Sequence, residues 1–217
     1  DELGAAERMI AKNATYYNTA AGTASANALS CDRALVPRIG IDVGGVISHQ
    51  NMDRNVTSKN AAWHLEKSSE VANAVKSITR IVELYGAKNV FIVSKAGEGM
   101  QEKIKTFLKD TIKLYEMIGF LPENVKFCLD RTGKGGKGVI CKQLRITHFI
   151  DDRDECLSSI YGDSEGNCGP FIRNMNGVLL HFNSGGKDGA VPSKRTWTWH
   201  KNNRPRYVVP IANWTHA

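Results

Sequence analysis

Arg38-Ile39-Gly40-Ile41-Asp42-Val43-Gly44-Gly45-Val46-Ile47 begins as a short apolar run and breaks on a carboxylate followed by a glycine pair. A run of this kind, bounded by glycine, predicts a buried parallel strand that ends in a tight loop. The pattern returns downstream. Asn89 to Ser94 is apolar up to Ser94 and leads into Lys95-Ala96-Gly97, and Ile146 to Asp152 closes on two adjacent carboxylates. Val125 to Asp130 predicts a shorter strand nearer the edge, and Gly177 to Asn183 a fifth strand.

Helical spacing fills the intervals. From Ser69 to Tyr85 the residues Val71, Ala74, Val75, Ile78, Ile81, Val82 and Tyr85 recur on one face, and Gly86 stands where a C-terminal glycine cap belongs. Further helices are predicted over Met100–Ile118, Gly138–Leu144 and Glu155–Tyr161. Strands alternating with helices predict an α/β fold: a doubly wound, mostly parallel five-stranded Rossmann-like sheet with helices on both faces. Residues 37–185 form that domain. Residues 1–36, with a helix over Glu2–Tyr17, are an N-terminal extension, and residues 186–217 a basic, aromatic C-terminal arm.

At 217 residues the chain suits one such domain with tails. No apolar run approaches the roughly 20 residues of a membrane helix. The formal charge is +7, and after Asp188 no acidic side chain follows while Lys194, Arg195, Lys201, Arg204 and Arg206 do. A protein partner is expected through the two arms. Trp197, Trp199, Tyr207 and Trp214 among those cations could stack bases, but packing of the arm on the domain or a neighbouring subunit is the preferred reading, so nucleic acid ranks second. Five scattered cysteines (Cys31, Cys128, Cys141, Cys156, Cys168) without a C-x-x-C pair argue against a disulfide framework or zinc site and favour a reducing compartment. The chain opens at Asp1 rather than Met, as a processed product would. His148, inside a strand, reads as a satisfied core residue.

In a doubly wound sheet the functional crevice lies beyond the carboxyl ends of the strands. Asp42, Ser94, Asp130, Asp151 and Asp152 are all predicted there; for Asp130 alone, a helix cap suffices as explanation. Asp151 and Asp152 are different. Two adjacent carboxylates at a buried strand end repel each other and lose hydration, costing several kcal/mol unless a cation compensates. Mg²⁺, which takes a few carboxylate oxygens and keeps its waters, suits that need.

Taken together, Gly40-Ile41-Asp42-Val43-Gly44-Gly45, Phe91-Ile92-Val93-Ser94, Lys137 and Phe149-Ile150-Asp151-Asp152 resemble, in order, the four motifs of the haloacid dehalogenase (HAD) superfamily. The resemblance covers roughly Arg38 to Asn183. It implies a Mg²⁺-dependent phosphohydrolase or phosphotransferase with Asp42 as nucleophile and Asp42, Asp151, Asp152 and the Gly44 carbonyl around the metal. Ser94 and Lys137 would complete the catalytic set, with Gly44, Gly45 and Lys95 also against the phosphate; Lys134 and Lys142 compete with Lys137. One position departs from the pattern. The family usually carries a second Asp where this chain has Gly44, and glycine can neither protonate a leaving group nor activate water. Slow turnover, substitution by His49 or Asp53, or an inactive HAD-fold subunit of a larger assembly are the expectations that follow. The short stretches after Asp42 and Ser94 leave no room for a cap domain, which by resemblance implies a large phosphorylated substrate.

Overall fold

The computed structural model describes residues 36–49, 69–117, 119–161, 179–182, 208–211 and 214. The predicted N-terminal helix, Asp53 and the 194–206 basic stretch lie outside them, as do Trp197, Trp199 and Tyr207.

Six strands form one sheet: β1 Ile39–Ile41, β2 Val90–Lys95, β3 Val125–Cys128, β4 His148–Asp151, β5 Leu179–Phe182 and β6 Val208–Ile211. Their order is β3-β2-β1-β4-β5-β6, and every neighbouring pair is parallel. The five expected strands are all present; β2 keeps its expected length, displaced by one residue, while β3 and β4 are shorter than expected. The sixth corrects the count: β6 comes from the stretch read as an arm. Pro210 sits inside it and cannot donate to a ladder, which is tolerated here because β6 closes the order as an edge strand.

Side chains alternate across the sheet and divide the core in two. Val90 and Ile92 of β2 join Ile39 and Ile41 in one apolar cluster, whereas Phe91 and Val93 join Phe149 and Leu179 in the other. The first face is covered by α1 (Ala74–Tyr85), through Ala74, Ile78, Ile81 and Val82, and by Phe107 and Leu108 of the helical segment after β2. The second is covered by α4 (Lys137–Gln143) and α5 (Asp154–Tyr161), through Cys141, Leu157 and Ile160. Burial on both faces is what makes the sheet doubly wound.

Two helices differ from expectation for stated reasons. α1 starts at Ala74 rather than Ser69, because the preceding residues pair with the loop after β1: Ser48 bridges Glu70, and the Val71 amide donates to the Ile47 carbonyl at 2.8 Å. Glu70 then caps the helix by accepting the Val75 amide at 2.8 Å. The helix expected over 100–118 is divided into α2 (Glu98–Thr106), a π-turn (Phe107–Thr111) and α3 (Leu114–Met117). Lys113 takes a left-handed φ of 51° at the break. This reset turns Leu114, which a continuous helix would carry away from Leu108, back into the core. No described helix is long and apolar enough to cross a membrane.

Candidate metal centre

The chain runs outward from β1 through β2 to β3, then returns to the other side of β1 as β4. The strand order therefore reverses between β1 and β4, where an open α/β sheet leaves its crevice. Asp42 follows β1 and Asp151 ends β4. The Asp42 amide donates to the Ile150 carbonyl at 2.9 Å, extending the β1–β4 register by one residue. Alternation then sends both carboxylates toward the face covered by α4 and α5.

Lys137, the first residue of α4, meets them there. Its Nζ lies 2.8 Å from Asp42 Oδ2 and 2.6 Å from Asp151 Oδ2, with 1% of the residue exposed. Of the three lysines weighed from the sequence, Lys134 and Lys142 are exposed, so only Lys137 reaches the carboxylates. Close helix packing sets its position. A Cβ on Gly138 would stand 2.6 Å from the Ser159 carbonyl oxygen of α5, so glycine beside Lys137 lets α4 lie against α5.

Asp151 is fully buried, and its second oxygen accepts the Arg153 amide at 2.9 Å. Asp152 comes from the same turn. Its carboxylate rests on the backbone of Gly45, where a Cβ would overlap it, and Gly45 has a φ of 80° that side-chain-bearing residues rarely adopt. Ligand oxygens of Asp42, Asp151 and Asp152 all lie within 4.8 Å of one another. Asp42 Oδ1 is buried with no hydrogen-bond partner.

Electrostatics follow from that count. Burial alone would lower the Lys137 ammonium, but the Asp42 and Asp151 carboxylates outweigh it and hold the lysine charged above its ordinary range. Burial raises Asp151, with Lys137 opposing and Asp42 adding to the rise. Asp152 is pushed up to about 6 by burial and then by Asp42. The Lys137 ammonium is shared between Asp42 and Asp151, so with all three carboxylates ionised the three aspartates and this lysine together carry two net negative charges. Hard oxygen donors, a buried Asp42 oxygen without a partner and that residual charge together fit a metal cation. The three aspartates could hold a metal ion.

The remaining predicted residues lie on the strands and in the loops that follow them. Ser94 is buried on β2, the other neighbour of β1, one residue beyond the row of Asp42 if the register is continued. Its carbonyl accepts the Cys128 thiol at 3.7 Å, and its hydroxyl makes none of the cluster's bonds. Lys95 is exposed at the end of β2. Gly44 is half-buried and bridged to Ser48. His49 is exposed, its amide engaged by the Ser69 carbonyl at 3.0 Å. Asp130 is exposed past β3 and is not one of the triad. Arg131 pairs with Glu155 at 3.0 Å, tying the loop after β3 to the first turn of α5.

The Arg153 amide, which enters through the turn after β4, had no signal in the sequence. Trp214 packs on the domain, as preferred for the arm's aromatics, and reaches the loop after β1 from far along the chain. The cysteines described, Cys128, Cys141 and Cys156, are buried free thiols. Burial, and then the neighbouring Asp151, raise the Cys156 thiol.

No protein-family model matches the sequence, and no curated protein does. A solved structure titled "Structure of Pnkp1/Rnl/Hen1 complex" contains a chain similar to this one at 13% identity and a TM-score of 0.37. The match covers 65% of this chain and 47% of that one, so it spans about half of that chain's length.

Proposed function

We propose that the domain is a HAD-type, Mg²⁺-dependent phosphohydrolase or phosphotransferase in which Asp42 is the nucleophile. The observation that carries this reading is the buried Asp42–Lys137–Asp151 cluster at the switch point between β1 and β4. A carboxylate oxygen of Asp42 forms a bond to phosphorus as the bond from phosphorus to the leaving oxygen breaks. Water then cleaves the aspartyl-phosphate, dividing one displacement into two. Lys137 orients Asp42 through their 2.8 Å contact and offsets charge between nucleophile and phosphoryl group. Asp42, Asp151, Asp152 and the Gly44 carbonyl would hold Mg²⁺, which when bound neutralises phosphoryl charge. Ser94 donates to a phosphoryl oxygen, and Gly45 and Lys95 line the same end of the sheet. By the same reading the substrate is a large phosphorylated molecule, since among the described residues between β2 and β3 stand only α2, the π-turn, α3 and one 3₁₀ turn.

Gly44 favours a second reading, a HAD-fold binding subunit without turnover that works with a protein partner. No acidic side chain stands between Asp42 and His49, and loss of general acid–base help costs a factor of about 10² to 10⁴. One experiment separates the two. Wild type, Asp42→Asn and Gly44→Asp are assayed with Mg²⁺ against a panel of phosphomonoesters and phosphopeptides. Catalysis predicts phosphate release that Asp42→Asn abolishes and Gly44→Asp raises. No release from wild type or Gly44→Asp, with no fluoroberyllate retained at Asp42, would leave the binding subunit.

A further inference from the structure

Trp214 stands 168 positions after Val46, yet its indole Nε1–H donates to the Val46 carbonyl at 2.8 Å. Its ring packs on Phe182 of β5 with centroids 5.4 Å apart. Its own backbone carbonyl accepts the Ser77 hydroxyl of α1 at 3.4 Å. Only 2% of the residue is exposed. One residue thus joins the loop after β1 to both β5 and α1, the first two through its side chain and α1 through its backbone carbonyl.

That loop is a tight turn. The Val43 carbonyl accepts the amides of Val46, Ile47 and Ser48, and the Gly45 amide donates to the Ser48 carbonyl at 2.8 Å. Folding the turn inward buries Val46, whose carbonyl then needs a donor from outside the turn. Trp214 supplies it. The turn begins one residue after Asp42 and contains Gly45, on which the Asp152 carboxylate rests. A displaced turn therefore displaces one wall of the acidic centre.

We propose that Trp214 is a positioning residue for the Asp42 centre: its indole N–H fixes the Val43–Ser48 turn, and with it the placement of Gly44, Gly45 and Asp152. The effect on the centre's ligands rests on the cation-binding reading above, whereas the effect on the turn does not. An ordinary core residue would show a different pattern. Phenylalanine at 214 would keep most of the packing on Phe182, and loss of the N–H would then cost little at the turn in particular.

The test uses the full 217-residue chain and compares Trp214→Phe with Phe182→Leu, which thins the same packing but keeps the indole N–H. Amide hydrogen exchange is followed at Gly45, Ile47 and Ser48 in the turn and at Ile41 and Ile150 in the strands. Mg²⁺ affinity is measured by titration calorimetry. In Trp214→Phe, exchange at the turn should quicken about tenfold more than in the strands, as expected when one buried hydrogen bond is removed locally, and Mg²⁺ affinity should fall by a similar factor. Phe182→Leu should change turn and strands alike and leave Mg²⁺ affinity unaltered. If Trp214→Phe does not fold, 3-benzothienylalanine at position 214 keeps the ring's size and removes only the N–H. Equal acceleration of turn and strands when the N–H is removed, or no acceleration, overturns the proposal. If wild type binds no Mg²⁺, the cation reading fails and the exchange data alone decide the role of Trp214.

Discussion

The two ends of β1 and β4 bury polar groups in opposite ways. At the amino end, the Thr147 hydroxyl accepts the Arg38 amide at 2.9 Å and contacts His148 Nδ1 at 2.8 Å. Burial holds the His148 imidazole neutral, its pKa lowered to about 4. His148 is a core residue as expected, though only half satisfied, since Nε2 has no partner. An unbonded neutral nitrogen of this kind costs about 1–3 kcal/mol, far less than a bare charge. At the carboxyl end, three carboxylates gather within 4.8 Å of one another and two of them pair with the Lys137 ammonium. The same two strands thus end in a neutral, mostly bonded network on one side and in surplus negative charge on the other. The difference sets the candidate metal site apart from the rest of the core, because a fold gains nothing in stability from packing like charges together.

Removing the Lys137 ammonium that pairs with Asp42 and Asp151 should show the contrast most strongly. Lys137→Met leaves Asp42 and Asp151 buried without their ammonium, which should lower unfolding free energy by about 3–5 kcal/mol in urea titrations. Added Mg²⁺ should recover part of that loss. An amino-end change such as His148→Leu should cost less than about 2 kcal/mol and leave the Mg²⁺ response intact. If His148→Leu alters Mg²⁺ affinity as much as Lys137→Met does, the two ends are not independent.

Gly45→Ala comes next. The φ of 80° costs an alanine about 1–2 kcal/mol, and its Cβ would press on the Asp152 carboxylate. Loss of stability measured by thermal melting should therefore be modest, while Mg²⁺ affinity falls more than stability alone accounts for. Unchanged affinity would detach Asp152 from the centre.

The smallest effects are titrations of opposite sign. His148 has a folded pKa of about 4 against an ordinary 6.5, so its contribution is present above pH 6.5 and lost as pH falls toward 4. Asp152 has a folded pKa of about 6 against 3.8. Its contribution is present below pH 3.8 and lost as pH rises through 6. In metal-free protein, melting temperature against pH should lose its acid limb in His148→Leu. The loss on the rising side should be reversed by Mg²⁺, whose stabilising effect is larger at pH 7.5 than at pH 5. A Mg²⁺ effect independent of pH over that range would contradict the assignment of Asp152.

Much of this was legible in the sequence because buried parallel strands write themselves as apolar runs. Asp42, Asp151 and Asp152 stood out as carboxylates ending such runs, which local preference alone does not explain. β6 was hidden by Pro210 and by its basic, aromatic surroundings, since an edge strand needs no unbroken ladder and so leaves a weaker pattern. The late start of α1 was hidden as well, because the Ser48–Glu70 bridge is a long-range contact that overrides helical spacing at Val71. Choosing Lys137 over Lys134 and Lys142 required knowing where α4 begins. Trp214 carries no local signal for its bond to Val46, which exists only once both ends of the chain are folded.

The most direct test of the central claim is a Mg²⁺ titration of wild type and Asp151→Asn, followed by thermal unfolding at neutral pH. A resident divalent site predicts saturable, one-site stabilisation of wild type, reaching about 2.7 kcal/mol at a hundredfold excess over Kd, and its loss in Asp151→Asn. Equal stabilisation of both proteins, or of neither, would contradict it.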